Sequence, residues 1–132
     1  MKRWLAALSA LAFLFLCFGQ EKRKQGPPEL TVSEFRARRT GDGIGIFARV
    51  ENTGSLPCKK PRLVVHFLSP DKGVLSTQRG PLGAAVLKPG EEVEFTLDVR
   101  APPRAVYIRL ESEDGGSRHV ELRNAGPYTI DE

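Results

Sequence analysis

Glu92-Val93-Glu94-Phe95-Thr96-Leu97-Asp98-Val99 alternates polar and apolar side chains without interruption. A strand turns successive side chains to opposite faces, so Val93, Phe95, Leu97 and Val99 share one face and the charged residues share the other. Burial on one side only requires a second layer of protein to cover the apolar face. The same period recurs in Ile44, Ile46, Ala48 and Val50, and in Val106, Ile108 and Leu110 set against Tyr107, Arg109 and Glu111. It recurs again in Val120 and Leu122, between His119, Glu121 and Arg123, and Asp114-Gly115-Gly116 joins these last two runs as a hairpin. Residues 63–68 are nearly all apolar, with Leu63, Val65 and Phe67 expected inward; the opposite register would bury Val64, His66 and Leu68. Pro70-Asp71-Lys72-Gly73 then makes a turn into a strand over residues 74–77. Residues 30–38 form a first strand whose alternation changes phase near Ser33, which predicts a bulge there.

No helical periodicity is present, and about seven short strands separated by Gly, Pro, Asn and Asp clusters define an all-β chain. This pattern predicts an immunoglobulin-like (fibronectin-type) antiparallel β-sandwich over residues 29–124, with a closed lipocalin-like barrel as the second choice. Residues 125–132 form a C-terminal tail. Tyr128 and Ile130 alternate within it, as in an extended segment that folds back on the sheet or meets a partner.

The opening residues decide the compartment. Lys2 and Arg3 precede an uncharged apolar run over residues 4–18, shorter than the roughly 18 residues a membrane span requires. Cys17-Phe18-Gly19 places small residues where signal peptidase needs them, so residues 1–19 read as a signal peptide cleaved between Gly19 and Gln20. The protein is thus expected to be exported, periplasmic or secreted. Two rivals tether it to a membrane: a lipidated Cys17, against which bulky Leu16 stands, and an uncleaved anchor. Residues 20–28, with Lys22-Arg23-Lys24 beside Gln25-Gly26-Pro27-Pro28, read as a flexible linker. Loss of Lys2 and Arg3 lowers the net charge from +4 to +2, too little to suggest nucleic acid as a partner.

Val50-Glu51-Asn52-Thr53-Gly54, an apolar strand ending in Phe67, Asp71-Lys72-Gly73-Val74-Leu75 and Leu87-Lys88-Pro89-Gly90-Glu91 follow one another in the order found in FxLyD-type and related exported bacterial sandwich domains. The chain resembles that family over residues 44–99. Where the family's name motif has Leu-Tyr-Asp after its Phe, this chain has Leu68-Ser69-Pro70-Asp71, without the tyrosine. The resemblance implies an accessory domain of an exported or lipid-anchored protein and carries over no functional residue.

No catalytic, cofactor-binding or metal-binding set is legible. A type-one copper site needs two His, a Cys and usually an axial Met; His66, His119 and Cys58 are here, but the one Met is the initiator and the cysteine precedes both histidines. Ser112, His119 and Asp114 lack a nucleophile elbow. The acidic residues Glu111, Glu113, Asp114, Asp131 and Glu132 lack the spacing of a calcium loop, and Gly80-Pro81-Leu82-Gly83 is not a phosphate cradle. No cofactor is expected and the chain does not read as an enzyme.

Binding through an outer surface remains. Phe47 and Tyr107 lie opposite the inward residues of their strands, Arg49 neighbours Phe47, and Tyr128 lies in the tail, so Phe47, Arg49, Tyr107 and Tyr128 are the candidate contacts for a protein partner. Cys58 is left without an internal partner once Cys17 is removed and is expected as a free, half-buried thiol, with intermolecular pairing as the alternative; Lys59 and Lys60 would favour its thiolate slightly. The reading is a non-enzymatic exported interaction or assembly module. The alternative is a small-ligand or metal-binding accessory protein of the cell envelope. The processed chain should begin at Gln20, checked by intact mass and N-terminal sequencing; a lipid-modified Cys17 as first residue would place the domain on a membrane instead.

Overall fold

The computed structural model describes residues 28–100 and 102–132, so the signal-peptide and Gly19/Gln20 cleavage readings, and nearly all of the linker, lie outside the described residues. Every regular element among the described residues is a strand: β1 (Glu29–Thr40), β2 (Gly43–Asn52), β3 (Cys58–Lys59), β4 (Arg62–Leu68), β5 (Val74–Pro81), β6 (Val86–Leu87), β7 (Glu92–Arg100), β8 (Tyr107–Glu113), β9 (His119–Arg123) and β10 (Tyr128–Thr129). The seven alternating runs all become strands. The three additional ones, β3, β6 and β10, have two residues each and are too short to show a period.

The all-β reading holds, but the strands do not separate into two independent sheets. Hydrogen bonds join them in one path, β5-β4-β8-β9-β1-β2-β7, nearly closed into a barrel, with β10 added on β8 and β3 paired with β6. The join is a short parallel pairing of Glu29, Leu30 and Thr31 with Glu121, Leu122 and Arg123. All other strand pairs are antiparallel. The first strand can serve both neighbours because of its bulge: the register with β2 shifts between Val32 and Glu34, which leaves Ser33 as the extra residue. Leu30 and Val32 face the core before it and Ala37 after it, which accounts for the phase change in the sequence.

Leu63, Val65 and Phe67 point inward as expected, beside Ile44, Ile46, Ala48, Val50, Phe95, Ile108, Leu110 and Val120. Each fully buried aliphatic or aromatic side chain of this set contributes about 1.5–3 kcal/mol. Val64 and Leu68, on the other face of β4, are buried as well. His66 between them is half-buried, with Nδ1 2.9 Å from Thr77 Oγ1.

Two features close the structure where alternation alone would not. The end strands β5 and β7 meet where the Phe95 ring lies on Gly80: a Cβ at Gly80 would stand 2.7 Å from the ring's Cε2. Asn52, at the end of β2, is completely buried and satisfied: its Nδ2 donates to Leu56 O at 2.9 Å and Leu87 O at 2.8 Å, and its Oδ1 accepts from Gly54 N at 3.0 Å.

Phe95→Ala should cost about 3–5 kcal/mol, as large-to-small core changes do, whereas Glu94→Ala on the exposed face should cost little. Gly80→Ala should also destabilise, and less so in a Phe95→Leu background, because the added methyl group needs the space of the ring. Urea unfolding of the four single variants and the Gly80→Ala/Phe95→Leu double variant checks this; additive effects of Gly80→Ala and Phe95→Leu would show that the two strands do not touch there.

Candidate functional site

The outer face of β1, β2 and β7 is built in rows across three strands. Arg36, Phe47 and Thr96 stand side by side in one row, and Glu34, Arg49 and Glu94 in the next. The Phe47 ring is half-buried by its neighbours' guanidinium groups: the central carbon of Arg36 lies 4.8 Å and that of Arg49 5.9 Å from the ring centroid. Each such contact is worth about 0.5–1 kcal/mol at an exposed position.

Arg49 is held in turn by three carboxylates. Its Nη2 donates to Glu94 Oε1 at 3.1 Å, Nε lies 3.4 Å from Glu92 Oε1, and Nη1 lies 3.7 Å from Glu34 Oε2. The bulge residue Ser33 fixes Glu92 by donating to its Oε2 at 3.0 Å. The hydrogen bond to Glu94, followed by the fields of the three carboxylates, holds the Arg49 guanidinium above its ordinary pKa. Exposed ion pairs add little stability, so the effect of this network is to fix the direction of one arginine.

Beside Phe47 the side-chain layer is interrupted at Gly45, which stands between Arg38 and Asp98 in the next row. The result is an open hollow of about 420 Å³ walled by Arg36, Arg38, Phe47, Thr96, Asp98 and Asp131. A Cβ at Gly45 would reach only the end of the Asp98 side chain, 3.1 Å away. A glycine inside a strand often marks such close approach by another group. Phe47 and Arg49 are legible from strand alternation, whereas Arg36, Arg38 and Gly45 are not, because their placement follows from the β1–β2 register and its bulge.

The other expected contacts are not part of this surface. Tyr107 lies on β8, separated from β2 by β9 and β1, with the Lys72 ammonium 5.7 Å from its ring centroid. Tyr128 folds back on the chain's own sheet: β10 pairs with β8, the ring stacks on Phe35 at 4.1 Å between centroids, and the hydroxyl donates to Asn124 O. Burial raises its phenol pKa. Ile130 behind it is buried.

The polar residues weighed for chemistry are engaged elsewhere. Ser112 is buried and donates to Val120 O at 2.8 Å, while His119 is exposed on the adjacent position of the hairpin. Asp114 accepts from Gly116 N and Arg118 N in the turn, bonds that with Arg118 and Arg62 nearby lower its pKa. These three groups do not form a relay. Among the described residues no three metal-ligating side chains gather.

No protein-family model matches the chain, and no curated protein does. Among solved structures it is similar to the ApaA protein of Bordetella pertussis, with 21% identity, 70% of this chain and 85% of that one covered, and a TM-score of 0.44. It is also similar to IrmA of Escherichia coli, with 11% identity, coverage of 82% and 100%, and a TM-score of 0.44. A third likeness is to β-glucosidase 3B of Thermotoga neapolitana, with 21% identity and a TM-score of 0.41, over 78% of this chain but 16% of that enzyme. Likenesses of this size assign the chain neither a family nor an activity.

Cys58 differs from its expected state. It is fully buried on β3, opposite Leu87, while Lys59 and Lys60 are exposed. Burial, and then the negative charge of Asp114, pushes its thiol up, so the adjacent lysines do not favour the thiolate. A thiol whose folded pKa is raised stabilises the fold below its unfolded value, roughly 8.5, and that stabilisation is lost as pH rises beyond it. The peptide containing Cys58 should therefore resist alkylation at neutral pH until the chain unfolds. Stability should also fall more steeply above about pH 8.5 in the parent chain than in Cys58→Ala. Alkylation followed by peptide mass mapping, and melts across the alkaline range, measure both.

Proposed function

We propose that the chain is a non-enzymatic interaction or assembly module of the exported, FxLyD-like kind, contacting a protein partner through the outer face of β1, β2 and β7. The observation that carries this reading is the Phe47 ring held between Arg36 and Arg49 beside the hollow over Gly45. Aromatic and arginine side chains dominate the energetics of protein contacts, and an anchor fixed before binding loses little freedom on association. Arg49, tied to three carboxylates, is such a fixed group. The immunoglobulin-like part of the proposal is supported by strand order. β1, β2 and β7 form one antiparallel group and β4, β5, β8 and β9 another, and the strands of the two groups pair directly through the three residue pairs of the parallel junction.

Crosslinking in the expressing cell followed by mass spectrometry tests the surface. Phe47→Ser should abolish recovery of the partner at a stability cost of about 1 kcal/mol, the value of a half-buried aromatic. Gly45→Thr, which fills the hollow with a good strand former, should do the same with almost no change in melting temperature. Recovery unchanged in both variants would remove this face from consideration and direct attention to Tyr107.

A further inference from the structure

The strands run between two ends of opposite charge. The loops at the end where β1 finishes, residues 41–42, 69–73, 102–106 and 130–132, carry Asp42, Asp71, Asp131 and Glu132 against Lys72 and Arg104. The loops at the other end, residues 53–57, 82–91 and 114–118, contain two carboxylates, and neither is free. Glu91 Oε1 accepts from Lys88 N at 2.7 Å, and Asp114 lies 3.4 Å from Arg118. Lys59, Lys60 and Lys88, all exposed at this second end, have no carboxylate within ion-pair distance among the described residues. With them lie Leu56 and Val86, 39% and 40% exposed, two of the four large apolar side chains exposed among the described residues. The β3–β6 ribbon accounts for the juxtaposition: Cys58 and Leu87 form its buried side, so Lys59 and Val86, opposite each other at the next position, face outward. The Leu56 carbonyl is tied beside that of Leu87 through Asn52 Nδ2. Lys60 holds a left-handed backbone, φ +46°, which a lysine adopts at a cost, and its N donates to Ala85 O at 2.8 Å.

We propose that this end docks on an anionic lipid surface, with Leu56 and Val86 entering the headgroup layer and Lys59, Lys60 and Lys88 meeting lipid phosphates. Two observations select lipid over a protein. The first is composition: contacts between proteins draw on aromatic and arginine anchors and are depleted in lysine. The loops of this end contain no aromatic residue, and their one arginine, Arg118, is paired with Asp114. Lysines around aliphatic side chains are instead the composition of an interfacial membrane contact. The second is where the chain enters the domain. Glu29 O accepts from Thr53 N at 3.0 Å and from Gly54 N at 3.1 Å, so Lys22-Arg23-Lys24, and the apolar run over residues 4–18 before it, precede the fold at the Leu56 loop. Each lysine brought to an anionic surface strengthens partitioning roughly fivefold. Docked this way, the strands stand on the lipid by their ends and the Phe47 face looks sideways, so this contact is independent of the one proposed above.

Fluorescence of the full chain on large unilamellar vesicles tests this. The polarity-sensitive fluorophore NBD is attached at Val86→Cys, or at Asp42→Cys on the opposite end, in a Cys17→Ser background where Cys58 stays buried. On vesicles of mixed phosphatidylcholine and phosphatidylglycerol, NBD at position 86 should shift to the blue and brighten, and NBD at position 42 should not. Pure phosphatidylcholine should give neither change. Lys59→Glu, Lys60→Glu and Lys88→Glu together should abolish the shift at position 86, with far-UV circular dichroism to confirm the fold. Independently of whether that variant folds, salt at about 0.5 M should reverse the shift in the chain with all three lysines. A probe at position 86 that stays aqueous on the anionic vesicles overturns the proposal, whether or not the chain floats with them. So do equal shifts at positions 86 and 42, or a shift on pure phosphatidylcholine as large as on the anionic vesicles. A shift on adding polyglutamate but not vesicles would assign this end to an acidic protein instead.

Discussion

Everything in this fold hangs on the three residues by which β1 reaches β9. Leu30 is fully buried at that junction, Glu29 is ion-paired with Arg123, and Asn124 Nδ2 donates to Val32 O at 3.2 Å just beyond it. Further along β1 the chain's last residues take over the same edge: Asp131 N donates to Ala37 O at 2.9 Å and Arg39 N to Asp131 O at 2.8 Å. The first strand is thereby covered on one side by β2 and on the other by the end of the chain. Without that cover β1 would be an open edge twelve residues long, and the two groups of strands would have only side-chain packing between them. The tail is held to the sheet by the same means, through backbone bonds and through Tyr128 stacked on Phe35.

Such a closure gathers backbone ends and turns in the interior, where an unpaired polar group costs about 1–3 kcal/mol. Asn52 answers this at one end by capping the carbonyls of Leu56 and Leu87, and its own main chain accepts from Gly90 N and donates to Glu91 O. It connects β2, the loop before β3, β6 and the turn before β7 through one side chain and one peptide. Ser112 does the same between β8 and β9, and Ser69 closes the turn after β4 by accepting from Gly73 N at 3.1 Å. The turn carboxylates Asp71 and Asp114 are held below their ordinary pKa by comparable bonds, the first mainly by the Ser69 hydroxyl and the second mainly by Arg118 N.

The strands were legible because their period is a local property. Val93 to Val99, Ile44 to Val50 and Val106 to Leu110 each carry their own face assignment, and the phase change at Ser33 carries the bulge. Pairing is not local. Nothing in the composition of residues 29–31 says that their second neighbour is parallel and lies near the end of the chain, and nothing in Asn52 distinguishes a buried cap from the turn residue that Asn-Thr-Gly suggests. The same limit governs the site. Phe47 could be placed on an outer face from alternation, but its flanking by Arg36 depends on a register that the bulge offsets by one. Cys58 was misplaced for a related reason: a two-residue strand shows no alternation, so the exposed lysines beside it gave a false impression of its surroundings.

The two arginines on Phe47 are not equivalent, and the difference gives the surface a direction. Arg49 is restrained by Glu34 on β1 and by Glu92 and Glu94 on β7, whereas Arg36 has no carboxylate within ion-pair distance among the described residues. Moving Arg36 off the ring forfeits a single exposed cation–π contact, about 0.5–1 kcal/mol, which a few newly buried apolar atoms would offset. Moving Arg49 would break its ring contact and its ties to three carboxylates together. Arg36 is also the one of the pair that lines the hollow over Gly45. Any group that approaches Phe47 therefore does so most easily from the Arg36 side, entering above Gly45 with Arg38 and Asp98 on either hand, while Arg49 backs the ring from behind.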